Sequence, residues 1–121
     1  MVDKARLGAG DVEFELDGKQ VALRPSLQAC QAISRMHGGL LEALRKVGNG
    51  DMDTIVSVVG FGLGLKPGDD FDAVAEQVWR TGPTKVAVPA IKFIGNISNG
   101  GRPRTEGGGG KPAADPTQAD S

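Results

Sequence analysis

The sequence predicts an α+β fold, in which an N-terminal β-hairpin packs on a small bundle of about five short helices and precedes a disordered C-terminal tail. Three observations lead to this prediction. Residues 12–23 alternate apolar and polar side chains around an Asp-Gly pair, residues 27–97 contain several segments in which apolar residues recur at helical spacing, and residues 99–121 contain no Ile, Leu, Val, Phe or Trp. A segment without these apolar residues buries too little apolar surface to offset the entropy of the chain, so it is expected to be disordered.

The hairpin prediction depends on a turn and a register that agree with each other. Apolar residues alternate with Glu13 and Glu15 over residues 12–16, and Asp17-Gly18 is a favoured type I′ turn pair. The return strand is residues 19–23, and its apolar residues then share a face with those of the first strand. The predicted pairs are Leu16 with Lys19, Phe14 with Val21 and Val12 with Leu23.

Two amphipathic helices are predicted after the hairpin. Ser26 is a good N-cap for a helix over residues 27–36, which Gly38-Gly39 ends. A second helix covers residues 40–47, and Gly48 occupies the position of a left-handed cap. The predicted buried faces are Leu27, Cys30, Ile33 and Met36 in the first helix and Leu40, Leu41, Leu44 and Val47 in the second.

Residues 54–65 fit a strand and a helix equally well on composition. Their β-branched residues and alternating glycines favour a strand, and each interior glycine destabilises a helix by about 1 kcal/mol relative to alanine. Asp51 or Asp53 as an N-cap, together with the near absence of polar side chains, favours a short buried helix. Composition therefore leaves both alternatives open.

Two more helices complete the predicted bundle. Asp70 caps a helix over residues 71–80, and apolar residues recur at helical spacing over residues 86–97. Because Pro89 lies inside the second pattern, it either kinks that helix or marks its true start. The predicted buried face of the first of these helices is Phe71, Val74, Ala75, Val78 and Trp79.

The length of the chain predicts one domain. We expect a flexible N-terminal segment at residues 1–9, a single hairpin-plus-helices domain at residues 10–98, and a disordered Gly/Pro-rich tail at residues 99–121. A domain of this size has one small core.

Composition and charge argue against several classes of function. The net charge is −1, so no basic face for nucleic-acid binding is predicted. Cys30 is the single cysteine, which excludes an internal disulfide and favours a cytosolic protein. The longest apolar run is well short of the roughly 20 residues that cross a bilayer. We therefore expect a cytoplasmic protein that binds neither nucleic acid nor membrane.

Few side chains are suited to catalysis. His37 and Cys30 lie two turns apart on one predicted helix, roughly 10 Å along its axis, which is too far for a Cys–His pair. A metal site needs more nitrogen or sulfur ligands than the chain contains, unless carboxylates complete it. These residues predict no catalytic group and no metal site.

Two motifs resemble ligand-binding loops but lack the required context. A dinucleotide fingerprint requires a helix after its glycines, whereas Lys66-Pro67 directly follows Gly60–Gly64. The acidic group at residues 69–72 lacks the spaced oxygen ligands of a calcium loop and is better explained by a helix N-terminus. We therefore expect a non-enzymatic protein without a cofactor.

A set of short structural motifs resembles a known family. The first strand is acidic, Asp17-Gly18-Lys19 forms the turn, Leu23-Arg24-Pro25 closes the hairpin, and Gly38-Gly39-Leu40-Leu41 follows a short helix. Residues 55–65 form an apolar segment that ends in Gly-Leu. Over residues 10–98 these motifs are similar to the small tail assembly chaperones of tailed bacteriophages and gene transfer agents, a family sometimes labelled tail tube protein. The resemblance transfers no active site, and it favours a helix at residues 54–65. Members usually have Ala- and Leu-rich helices where this chain has Gly60, Gly62, Gly64 and Pro89.

The resemblance implies a role in tail assembly in the cytoplasm of a bacterial host. Such a chaperone binds the tape measure protein, keeps its helical apolar surface soluble, and hands it to tail tube subunits; self-association stays open. An amphipathic partner helix in a groove suits the composition. Candidate partner-binding residues, each of which also fits the core, are Phe61, Leu63, Trp79, Phe93 and Ile97. The alternatives are a structural minor tail or tube component retained in the particle and a generic cytoplasmic protein-binding adaptor.

Overall fold

The computed structural model describes residues 10–103, and it confirms the predicted α+β class. The described part contains an antiparallel hairpin followed by five helices. The predicted flexible segment 1–9 and residues 104–121 of the predicted tail lie outside the described residues. The elements are β1 (Val12–Leu16), β2 (Lys19–Leu23), α1 (Leu27–His37), α2 (Leu40–Gly48), α3 (Met52–Gly62), α4 (Asp72–Thr81) and α5 (Pro83–Ser98).

The hairpin has the predicted register, with Leu16 opposite Lys19 and Val12 opposite Leu23. Both turn residues have positive φ, 53° at Asp17 and 81° at Gly18, as a type I′ turn requires. The turn is also attached to the end of α4. The backbone N–H of Asp17 donates to Thr81 Oγ1 (2.6 Å), and the Asp17 carboxylate accepts a hydrogen bond from Arg80 (3.0 Å).

The helices α1 and α2 form as predicted, and their predicted buried faces are correct in part. Ile33 and Val47 are fully buried, and Cys30, Leu40 and Leu44 are half-buried against the core. Ser26 caps α1 by accepting a hydrogen bond from the N–H of Ala29 (3.0 Å), and Gly38 ends it with φ of 79°. The prediction that Leu27, Met36 and Leu41 are buried is wrong, because they are 68%, 53% and 80% exposed. The buried residues of the two helices are Ala29, Ala32, Ile33, His37, Ala43 and Val47.

The predicted left-handed cap at Gly48 is also wrong. Gly48 is the last residue of α2, and Asn49 is the C-cap. The left-handed conformation occurs two residues later, at Gly50 with φ of 80°.

The ambiguous segment is a helix, α3, and it lies at the centre of the domain. Asp51 caps it, because its carboxylate accepts a hydrogen bond from the backbone N–H of Thr54 (3.1 Å). Residues 54–62 are all buried, since α3 contacts the four other helices and β2. This position explains why the segment has few polar residues and no recognisable amphipathic pattern.

The helix α4 begins at Asp72, with Phe71 rather than Asp70 at the N-cap position. Asp70 nevertheless accepts a hydrogen bond from the backbone N–H of Asp72 (2.9 Å). Val74 and Val78 face the core, whereas Trp79 is 70% exposed, so its predicted burial is wrong. Trp79 therefore lies outside the buried stripe of α4.

The helix α5 begins at Pro83 and continues through Pro89 to Ser98. Pro83 is tolerated in the first turn because the N–H groups there have no intrahelical partner. Pro89 thus lies inside the helix and does not mark its start. After α5, the N–H of Gly101 donates to Asn96 O (2.8 Å), and the side chain of Asn96 donates to Gly10 O (3.0 Å), so the two ends of the described chain lie together.

Candidate partner-binding groove

The structure separates the five candidate partner-binding residues into two groups. Phe61, Phe93 and Ile97 belong to the hydrophobic core, with exposed fractions of 6% or less. Leu63, after the end of α3, and Trp79, on α4, are exposed at the surface. Of these five residues, only Leu63 and Trp79 therefore present apolar surface to a partner.

A groove that the sequence did not reveal runs across α1, α3 and α4. It consists of two adjoining depressions that share Met36, and we call it the Met36 groove. The depression on the α1 side is lined by Gln28, Gln31, Ala32, Arg35, Met36 and Pro67. The depression on the α4 side is lined by Met36, Met52, Asp53, Val56, Ser57, Phe71, Asp72 and Ala75.

The packing of α1 places Met36 at the centre of this groove. Ala32 and Ile33 turn toward the core, so Met36, four residues after Ala32, lies at the border of the buried face. Methionine is flexible and polarisable and adapts to irregular apolar partners. Met52 adds a second, half-buried thioether on the α4 side of the groove.

Phe71 forms part of the groove wall because of a glycine in α3. A Cβ atom at Gly60 would lie 2.2 Å from the Phe71 ring, so only glycine allows this close approach. The ring also contacts Phe61 edge to face, with centroids 5.2 Å apart and planes at 76°. Phe61 thus supports the groove from the core.

Trp79 extends the apolar surface of α4 beyond the groove. Ala75 lines the groove, and Trp79 lies four residues further on, one turn along the same side of the helix. It is the single tryptophan of the chain. An exposed Trp side chain offers a large apolar area to a partner, and Trp is enriched at the centres of protein interfaces.

Beside the groove, His37 and Ser57 form a buried polar pair between α1 and α3. His37 Nε2 lies 2.7 Å from Ser57 Oγ, and the Ser57 hydroxyl donates to Thr54 O (2.8 Å). Because a hydroxyl has one proton, Ser57 Oγ is then the acceptor for His37 Nε2–H. His37 is therefore a core residue that connects two helices.

Burial and two neighbouring charges determine the pKa of His37. Burial lowers the pKa of His37, the positive charge of Lys46 lowers it further, and Asp51 acts in the opposite direction. Hydrogen bonds from the Thr54 side chain and then its backbone N–H lower the pKa of Asp51. Because its pKa is lowered, the imidazole of His37 is neutral in the folded protein at neutral pH.

We expect the free energy of unfolding to fall as the pH is lowered below about 6.5, the ordinary pKa of histidine. The folded-state pKa of His37 lies below that of the unfolded chain, so between the two values the unfolded state binds more protons and acid favours it. The contribution is fully present above the unfolded pKa and reaches its minimum below the folded one. Urea unfolding between pH 8 and pH 5 measures this.

The control is His37→Gln, because His37 is the one histidine of the chain. The pH dependence between pH 7 and pH 5 should be absent from this variant. The lowered pKa of Asp51 acts in a separate window, near and below its ordinary value of 3.8. Parallel curves for the wild type and His37→Gln above pH 5 would contradict the prediction.

No group of His, Cys, Asp and Glu side chains within residues 10–103 is arranged to hold a metal ion. None of the helices in this range is long and apolar enough to cross a membrane. Comparison of the chain with protein-family models, with curated proteins and with solved structures finds no match.

Proposed function

We propose that this chain is a non-enzymatic tail assembly chaperone of a phage or gene transfer agent, acting in the host cytoplasm. Its partners are the tape measure protein, the tail tube subunits, or both. The Met36 groove is the observation that supports this proposal most directly. The resemblance of the hairpin, the following glycines and the apolar central segment supports the choice of family.

The proposed mechanism is reversible burial of apolar surface. A partner helix places apolar side chains against Met36, Met52 and Phe71, and its binding breaks no covalent bond. Flexible methionines allow different sequences to pack against the same groove. Such tolerance suits a chaperone that covers many similar helical segments of one long protein.

Calorimetric titration with helical segments of a candidate tape measure protein tests the proposal. We expect Met36→Gln to weaken binding by about tenfold, because roughly half of a methionine side chain's burial energy is lost. Trp79 gives a second signal, since the chain has no other Trp and no Tyr. With Trp-free segments, binding should move Trp79 emission to shorter wavelength.

Leu41→Gln is the matched control. Leu41 is an exposed apolar residue on α2 that does not line the groove, so this variant should bind as the wild type does. Equal losses in the two variants, or no binding of any helical segment to the full chain, would contradict the proposal. Mass spectrometry of purified particles should find the protein absent or scarce, whereas stoichiometric amounts would indicate a structural tail component.

A further inference from the structure

The charges around the Met36 groove are unevenly distributed. Asp53 and Asp72 line its α4 side, where they occupy the first turns of α3 and α4. Both are exposed, and neither forms an ion pair with another residue in the range 10–103. Arg35 is the one charged residue on the α1 side. A partner therefore meets two carboxylates beside Met52, Val56 and Phe71.

The neighbouring loop adds to this negative charge. Asp69 and Asp70 precede Asp72, and their carboxylates accept hydrogen bonds from the backbone N–H groups of Lys66 and Asp72, respectively. These bonds leave both carboxylates exposed at the same end of α4. Lys66 is the one basic residue between α3 and α4, so carboxylates outnumber cations on this side.

We propose that the Met36 groove selects a basic amphipathic helix, with Lys or Arg side chains flanking an apolar stripe. The inference rests on the proposed function, because it specifies the chemistry of the partner. The apolar stripe covers Met36 and Met52, and the cationic side chains lie beside Asp53 and Asp72. Complementary charges of this kind raise the association rate and exclude acidic helices.

The size of the effect follows from the exposure of the two carboxylates. Exposed ion pairs are weak and are screened by salt, so the charges discriminate between helices while the apolar contacts supply most of the affinity. We expect a basic helix to bind about tenfold more tightly than an acidic helix with the same stripe at low salt. The difference should decrease in high salt.

The test uses the full chain and two synthetic, Trp-free amphipathic helices with identical apolar stripes. One helix carries Lys at the flanking positions and the other carries Glu. Calorimetry at low and high salt gives the dissociation constants, and Trp79 emission shows whether the helix covers α4. The variant Asp53→Asn/Asp72→Asn should prefer the basic helix less strongly than the wild type does, because only Asp69 and Asp70 remain on this side. It should keep the far-UV circular dichroism of the wild type.

Glu13→Gln/Glu15→Gln is the matched control, because it removes two exposed carboxylates from the hairpin and none from the groove. This variant should retain the preference for the basic helix. Binding of both helices with equal affinity, or tighter binding of the acidic one, overturns the inference and leaves the proposed function standing. Failure of both helices to bind contradicts the assignment of the Met36 groove as a binding site for a helix, and with it the proposed function. If the chain forms a dimer and the substitution Met36→Gln dissociates it, a second copy of the chain occupies the groove. That result would also overturn the inference.

Discussion

Replacing Phe93 with alanine is expected to lower the free energy of unfolding by about 3–5 kcal/mol. Phe93 lies on the buried face of α5 and is 0% exposed. Its ring edge lies against the last turn of α3, because a Cβ atom at Gly62 would be 3.2 Å from Phe93 Cε2. Loss of the ring leaves a cavity between the two helices that are most deeply buried. Urea unfolding followed by far-UV circular dichroism measures the change.

Trp79→Ala is the control, since it removes an aromatic side chain that is 70% exposed. Its free energy of unfolding should stay within about 0.5 kcal/mol of the wild type. We expect Trp79→Ala to weaken the binding of helical segments, because Trp79 adjoins the Met36 groove. Equal destabilisation by the two substitutions would mean that the assignment of Phe93 to the core and Trp79 to the surface is wrong.

The hairpin could be predicted from the sequence because its information is local. A two-residue turn fixes the register, and the alternation of apolar residues confirms the same register independently. The attachment of the turn to Thr81 and Arg80 was not predictable, since these residues lie more than sixty positions away in the chain. No local pattern identifies partners at that separation.

The helices were predictable as elements, but the buried faces of α1 and α2 were predictable only in part. In α1 and α2 the predictions favoured the largest apolar residues, and Met36 and Leu41 were therefore assigned to the core. The structure buries Ala32 and Ala43 instead, because small residues allow helices to approach closely. Alanine is weakly hydrophobic, so a pattern based on large side chains does not detect such a contact.

The groove was not predictable for the same reason, since it depends on which face of α1 is buried. Met36 becomes a candidate binding residue once α1 is turned to bury Ala32, but that orientation depends on contacts with α2 and α3. Met52 and Phe71 approach Met36 from distant parts of the chain, and Phe71 does so because Gly60 leaves space for its ring. In the structure Gly60 and Gly62 allow close packing of side chains against α3. The sequence could not indicate which side chains these glycines admit.

Replacing Gly62 with alanine is expected to lower the free energy of unfolding by about 1–3 kcal/mol. A Cβ atom at this position would lie 2.9 Å from Leu23 Cβ and 3.2 Å from the Phe93 ring, and both neighbours are fully buried. Leu23 cannot retreat easily, because the N–H of Arg24 donates to Gly62 O (2.9 Å) and holds β2 against α3. The substitution therefore separates the hairpin from the central helix.

The intrinsic preference of helices for alanine, about 1 kcal/mol relative to glycine, acts in the opposite direction. Gly48→Ala isolates this preference, because Gly48 is also the last residue of a helix and a Cβ atom there has nothing within 4 Å. Urea unfolding of the two variants should give a stability equal to or above that of the wild type for Gly48→Ala and below it for Gly62→Ala. If both substitutions stabilise the protein, β2 does not pack against α3 as closely as the structure shows. The difference between the free energies of unfolding of Gly48→Ala and Gly62→Ala measures how strongly the close contact at Gly62 holds the hairpin on the helical bundle.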